Sequence, residues 1–261
     1  QDQICVKQAM AHVSELRVYP IKGLDPARVE STSIISPGAL AFDRRWALVD
    51  SQGRFLNGKN RPEIHPIRAN YDLVRSEVVL DGRTWSMERE GNEIAGWFSG
   101  VLGETVTWRE NIQGGFPDDT DSPGPTIVSE ASMYEVEGWF GLELEQTRRR
   151  FRANIEIAGV EPFWEDRLYG NGLAIGSVKV HAVNPCQRCV VPSRDPFTGA
   201  ADAGFQKRFS ELRKQHLPTW ADPAPFSHYY RFTANTRIAS SEVGKTIRIG
   251  DPVVYGDTLR T

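Results

Sequence analysis

Arg45-Trp46-Ala47-Leu48-Val49-Asp50-Ser51-Gln52-Gly53-Arg54-Phe55-Leu56 decides the fold class. An apolar run stops at a turn cluster that ends in glycine, then restarts. That spacing predicts a hairpin, since glycine takes the positive φ that tight turns demand. The signature recurs on both sides. Upstream, Val13, Leu16, Val18 and Tyr19 lead to Pro20, and the run Val29 to Ile35 stops at Ser36-Pro37-Gly38. Downstream come Ala69 to Val74, Glu77-Val78-Val79-Leu80 before Asp81-Gly82, and Thr84-Trp85-Ser86-Met87. Many short strands with close turn signals predict a mainly β protein with helices, a barrel or sandwich rather than a βαβ sheet.

The rest of the chain mixes the two periodicities. Ile94 to Leu102 reads as a short helix. Ser129 is placed to cap a longer one, in which Met133, Val136, Trp139 and Phe140 recur at helical spacing as a core-facing stripe. Phe205 to His216 is a polar, amphipathic helix. Phe151 to Ala158 alternates as a strand and sets Arg152 and Asn154 on one face. Leu173 to Val183 predicts a hairpin that runs into Asn184-Pro185-Cys186, and Ile247 to Tyr255 a closing strand pair around a turn. Asn111 to Pro125, rich in Gly, Pro, Asp and Ser, is a linker or a functional loop. The coarse division is β-rich 13–90, mixed 91–110, and β-rich with helices 115–258, after a loose leader, 1–12. Because residue 1 is Gln and not Met, the start is read as processed or engineered.

Composition bounds the function. The 261 residues are 39% hydrophobic and include seven Trp, which suits a sizeable core and excludes a disordered chain. No apolar run approaches the eighteen or so residues of a membrane span. A net charge of −3 argues against general nucleic-acid binding. The three cysteines, Cys5, Cys186 and Cys189, are too few for a disulfide scaffold and suit a reducing compartment, here a bacterial cytoplasm.

Chemistry concentrates at Pro185-Cys186-Gln187-Arg188-Cys189. A redox pair should open a helix, yet Val190-Val191-Pro192 continues extended. A structural zinc site needs four ligands, and only Cys5 and five scattered His remain. Two readings stay open: both thiols are buried small hydrophobes, or Arg188 and Asn184 poise a thiolate for a soft or high-valent metal. Lys22, Arg44, Arg45, Arg152 and Asn154 form a second constellation. Arginine forks and a lysine point charge suit a phosphate, as do Asp121-Ser122 in the loop before a helix start. The run Arg148 to Arg150 reads as solvated charge. Ala239 to Thr246 nearly spells a phosphate-binding loop, but its first Gly is Ala and a strand follows. Trp164-Glu165-Asp166 sends adjacent carboxylates to different faces, so no two-carboxylate acid/base site is implied.

Taken in order, several stretches resemble the MOSC family, related to the C-terminal part of molybdenum-cofactor sulfurases, and within it the amidoxime-reducing branch. They are Tyr19-Pro20-Ile21-Lys22-Gly23, Phe42-Asp43-Arg44-Arg45-Trp46, Ser129-Glu130-Ala131-Ser132, Phe151-Arg152-Ala153-Asn154-Ile155, Trp164-Glu165-Asp166, Pro185 to Cys189 with Asp195-Pro196-Phe197-Thr198-Gly199, and Ile249-Gly250-Asp251-Pro252-Val253. The resemblance implies an N-terminal β-barrel-like domain (13–95), a connecting segment (96–114) and a β-barrel MOSC domain (115–258). It implies a molybdenum cofactor (Mo-molybdopterin) whose metal takes the thiolate of Cys189, with Cys186 a neighbour. Cofactor contacts carry over to Lys22, Gly23, Arg44, Asp121, Ser122, Arg152, Asn154 and Arg188. Gly23 stands where relatives often have Ser. Arg45, where relatives often have an apolar residue, is expected at the pocket rim. The implied reaction is reductive removal of oxygen from small N-hydroxylated compounds. Electrons would come from a separate reductase or small carrier, because one C-x-x-C supports no iron–sulfur centre. Two alternatives remain: a cofactor or sulfur carrier without reductase activity, and a non-catalytic β-barrel binding module.

Overall fold

The computed structural model describes residues 10–256, so Cys5 and most of the leader stretch lie outside the described residues. The first half supplies β1 (His12–Val18), β2 (Ala27–Arg28), β3 (Ser31–Ile35), β4 (Ala39–Leu40), β5 (Trp46–Asp50), β6 (Ala69–Asp72), β7 (Glu77–Leu80), β8 (Arg83–Ser86), α1 (Gly91–Leu102) and β9 (Val106–Glu110). The second supplies β10 (Ile127–Ser129), α2 (Glu130–Phe140), α3 (Leu144–Phe151), β11 (Ile155–Ala158), β12 (Gly172–Ile175), β13 (Val178–Gln187), α4 (Phe205–Gln215), β14 (Arg231–Arg237), β15 (Thr246–Arg248) and β16 (Val253–Tyr255). The protein is mainly β with helices, as the strand spacing implies.

An eight-stranded sheet, β16-β12-β13-β14-β10-β11-β1-β2, organises the fold. Among the described residues its only parallel pair is β10 with β11, and β1 joins β11 from the far end of the chain. The sheet is rolled. Although β1 and β16 lie near opposite edges, Val13 N–H donates to Asp251 O (3.0 Å) and Val253 N–H donates to Ala11 O (2.8 Å). Among the described residues this closure is a single bridge, His12 to Pro252, and not a full ladder, so the architecture is barrel-like rather than a closed barrel. The inner face is apolar, with Val13, Leu16, Ile127, Ile155, Trp164, Ile175 and Ala234 buried together.

The opening stretch makes its turn: Gly53 N–H donates to Asp50 O (2.9 Å), and Phe55 bridges back to Val49. The long ladder of β5 is made with β9 instead, through Trp46↔Glu110 to Asp50↔Val106. A three-stranded meander, β6-β7-β8, and helix α1 close a second core over Trp46, Leu48, Trp85 and Phe98. Helices α2, α3 and α4 pack a third core around Val136, Phe151, Phe209 and Phe232. No helix among the described residues is long and apolar enough to cross a membrane.

Two strand expectations fail for identifiable reasons. Phe151 ends α3, and Arg152 is the left-handed C-cap of that helix (φ 54°), so Arg152 and Asn154 do not share a strand face. A capping box between Glu143 and Gln146 starts α3, and the ion pair of Arg148 with Glu156 (2.7 Å) ties its last turn to β11. The helix therefore outlasts the alternation. Ile247 to Tyr255 is not one strand pair either: β15 pairs with β3 and β16 with β12, because Gly250 N–H is taken by Val13 O (2.8 Å) between them.

Ser129 caps α2, its Oγ accepting from Ser132 N–H (2.9 Å). Under that cap, Glu165 accepts from Ser129 N–H and Ser132 Oγ, both at 3.1 Å. Asp166 instead pairs with Arg213 and accepts from Tyr169 Oη (2.9 Å). The adjacent carboxylates thus hold different elements. Burial, then the neighbouring charge of Asp166, pushes the Glu165 carboxyl up to about 7. The folded state therefore keeps a proton that the unfolded chain releases near 4.5. The sign follows: this carboxyl's stabilising contribution is complete below about pH 4.5 and is lost as pH rises through about 7. Glu165→Gln is expected to flatten stability between these limits, as read by urea unfolding midpoints at pH 5 and pH 8.

Candidate functional site

One cavity of about 420 Å³ gathers residues from both halves of the chain. Lys22, Gly23, Arg44, Ser122, Arg152, Cys186, Arg188 and Cys189 all line it. Asp121 and Asn154 are not on the wall. Asp121 is exposed, and its backbone carbonyl, not its side chain, accepts from Arg237 Nε. Asn154 is 1% exposed and sits behind the wall as a bracket. Its amide donates to Arg17 O (3.0 Å) and Asp43 Oδ1 (3.1 Å), while its Oδ1 accepts from Thr126 N (3.1 Å) and Oγ1 (3.2 Å). With those partners its capacity is spent, so direct contact with a ligand is replaced by positioning of Asp43 and the 126 strand entry.

Backbone geometry presents the cations. Lys22 N–H donates to Trp46 O (2.7 Å), which fixes the turn after β1. Arg44 has φ 52° and is steered by an ion pair with Asp43. Its guanidinium lies 5.8 Å from the Tyr19 ring, and that of Arg152 lies 4.1 Å from the same ring. Among the described residues Arg152 has no ion pair, and burial, followed by the like charge of Arg44, pushes it down from its ordinary value. A half-buried cation without a paired carboxylate gains from the arrival of an anion. Lys22 is also pushed down by burial, although Asp118 works against that. Arg188 braces the cysteine segment, donating from Nη2 to Phe151 O (2.7 Å) and from Nη1 to Cys186 Sγ (3.2 Å), while its Nε is buried without a partner. Cys186 lies near the end of β13 and Cys189 just past it; both thiols are free and half-buried. A single 3-10 turn, Val191–Ser193, follows where the sequence predicted extended chain, because Pro192 starts it readily. No group of three or more His, Cys, Asp or Glu converges among the described residues. The wall instead offers two free thiols and several cations, which fits an anionic organic ligand carrying a soft metal.

Sequence reasoning missed several wall residues. Lys59, His65, Arg68, Asp118 and Arg149 all line the cavity. Lys59 follows Asn57-Gly58, a turn signal that could have found it. The 148–150 run is not solvated: Arg148 pairs with Glu156, Arg149 with Asp25 and Glu145, and Arg150 is 4% exposed and donates to Pro192 O (2.6 Å). Amphipathic α3 is short, and its charges find partners in Glu156, Asp25 and the Pro192 carbonyl. Arg45 is not at the rim either; it pairs with Glu88 (3.0 Å) and Glu110 (2.7 Å) and stacks on Trp46 (4.5 Å).

Gly23 has φ +93°, and a Cβ there would meet Asn57 Cβ at 2.9 Å and Asn57 Cα at 3.1 Å. A side chain at position 23 therefore conflicts with this backbone. Gly23→Ser is expected to destabilise by roughly 1–3 kcal/mol, a fall of several degrees in a calorimetric melt, where Asn57→Gly should restore part of it.

Fold and site together define a mainly β protein with a cation-lined cavity and two free thiols on its wall. The chain belongs to the MOSC family: the MOSC N-terminal beta barrel domain matches residues 10–84 and the MOSC domain matches residues 125–254. It is similar to mitochondrial amidoxime reducing component 2 of Bos taurus, 25% identical over 94% of this chain and 83% of that protein. The same component of Homo sapiens is 26% identical over 94% and 84%. Among solved structures, the YUAD protein of Bacillus subtilis aligns over 94% of both chains at 9% identity and a TM-score of 0.41.

Proposed function

We propose that this chain is a molybdenum-cofactor-binding reductase of N-hydroxylated compounds, with Cys189 as the protein ligand of the metal. The observation that carries the reading is that the free Cys189 thiol lines the same cavity as Lys22, Arg44 and Arg152, which has no ion pair among the described residues. The amidoxime-reducing relatives support the reaction class. When bound, the cofactor would supply a metal able to exchange two electrons with an N–O substrate.

The chain's own residues do the rest. Lys22, Arg44 and Arg152 would hold the ligand's phosphate and pterin, Ser122 would add a hydroxyl, and Asn154 fixes Asp43 and through it Arg44. Arg188 holds the segment that presents Cys189. Electrons would come from a separate donor protein. The test is expression in a host that makes the cofactor, followed by elemental analysis, release of a fluorescent pterin on oxidation, and reduction of benzamidoxime with a low-potential donor. Stoichiometric molybdenum with turnover is expected. Metal and pterin without turnover would favour a carrier, and protein free of both would overturn the reading.

A further inference from the structure

We infer that His65 is a specificity-determining residue at the thiol end of the cavity, where its Nδ1 accepts a hydrogen bond from an N–H or O–H group beside the substrate's N–O bond. This rests on the reductase reading for its substrates and selects among them. Hydroxylamines and amidoximes carry such a hydrogen, and tertiary amine N-oxides do not. His65 follows the 3-10 turn Pro62–Ile64 and lines the cavity half-buried. Its Nε2 stands 3.2 Å from Gly58 O. A carbonyl oxygen only accepts, so Nε2 carries a hydrogen. Nδ1 has no hydrogen-bond partner among the described residues and is not sealed from solvent. Burial pushes the imidazole below its usual 6.5 against the pull of the Gly58 bond, and the charges of Arg194, Arg152 and Arg68 act with burial. Above that value the ring is neutral, and Nδ1 keeps its lone pair.

Two contacts place this acceptor near the cysteine segment. Arg68 Nη2 donates to both His65 O and Pro196 O, the second at 3.1 Å. Gly199 lies against Pro62 so closely that a Cβ on it would collide with Pro62 O. The 195–199 turn, just beyond Cys189, is thus packed on the segment that carries His65. The cavity's carboxylates are already engaged. Asp25 is held by Arg149 and Arg68, and Asp118 by Lys22 and Lys59. Asp119 accepts from Asp121 N (2.9 Å) and Ser122 N (3.1 Å). The lysines and arginines of the wall only donate, so a hydrogen on the substrate meets few open acceptors, and His65 supplies one. Ile64 and Ile67, on the same segment, also line the cavity and offer the substrate's carbon frame an apolar surface.

Turnover would cleave the N–O bond with two electrons from the donor protein and two protons from water, releasing the reduced nitrogen compound and water. His65 orients the substrate and gives up no proton. Two readouts test its role. In the full chain made without cofactor and carrying isotope-labelled histidine, long-range NMR should show His65 with its hydrogen on Nε2. Its Nδ1 resonance should move on addition of benzamidoxime and not with N,N-dimethylaniline N-oxide. In loaded protein, the ratio of kcat/KM for benzamidoxime over that N-oxide should fall roughly two- to tenfold in His65→Phe, the size of one neutral hydrogen bond. His65→Asn, which can present Oδ1, should keep most of the ratio. Gly58→Ala, whose Cβ would stand 2.6 Å from Nε2, should displace the ring and lower the ratio with His65 intact. A hydrogen found on Nδ1, or a ratio unchanged in both His65→Phe and Gly58→Ala, would overturn the inference. Loaded protein that reduces neither compound while the Nδ1 response persists defeats the reductase reading alone.

Discussion

An Arg152→Met protein is expected to melt at or above the wild-type temperature without cofactor, and to hold the phosphate-bearing pterin roughly a hundredfold more weakly. The two effects have one cause. Arg152 is half-buried on the cavity wall, has no ion pair among the described residues, and is pushed down in pKa by burial and by Arg44. Its charge is thus a cost to the empty fold, and methionine removes that cost while its unbranched stem still covers Tyr19. The left-handed φ of 54° already carries a Cβ at Arg152, and methionine, also unbranched at Cβ, meets the same backbone strain. The same charge is an asset to an anion, since each hydrogen bond to a charged group contributes about 1.5–3 kcal/mol and a guanidinium can make two. Calorimetric melting of cofactor-free protein and pterin retention through gel filtration read the two quantities independently. A melt lowered by several degrees with retention unchanged would make Arg152 a structural residue.

Such a residue was legible in the sequence only by kind. Alternating short runs around Asp50-Ser51-Gln52-Gly53 correctly predicted turns and strands, because φ preferences and side-chain period are local. The partner of β5 was not local: its ladder runs to β9 across the whole meander. Lys22, Arg44, Arg152 and the 186–189 segment stood out as chemistry-bearing types, and the cavity brings them together. Asn154 was chosen for the same reason but fills its hydrogen-bonding capacity behind the wall, which no periodicity reveals. Lys59 and Asp118 were passed over because an isolated lysine and an aspartate in a Gly/Pro loop look like ordinary surface. Only the fold puts them 2.9 Å apart. The arginines at 148–150 misled for the opposite reason: a charge run is solvated on most helices, but α3 is wedged between Asp25, Glu156 and Pro192.

The largest expected effect belongs to Cys189→Ala: molybdenum content and benzamidoxime reduction both fall to background, while the melting temperature stays within a few degrees of wild type. The side chain is half-buried and makes no hydrogen bond or ion pair among the described residues, so alanine leaves little unmet and opens little space. If Cys189 is the metal's ligand, as proposed, its loss should exceed the roughly 10–100-fold that contacts behind a ligand cost. Cys186→Ala is the informative companion. The sulfur of Cys186 faces Arg188 Nη1 (3.2 Å), which is itself anchored on Phe151 O (2.7 Å), so its removal disturbs a brace and not a bond to the metal. It should keep metal loading and most turnover. Equal losses in the two variants would instead fit a carrier that uses both thiols. Full loading of Cys189→Ala would place the metal's attachment elsewhere on the wall and remove the chemical basis of the proposed activity.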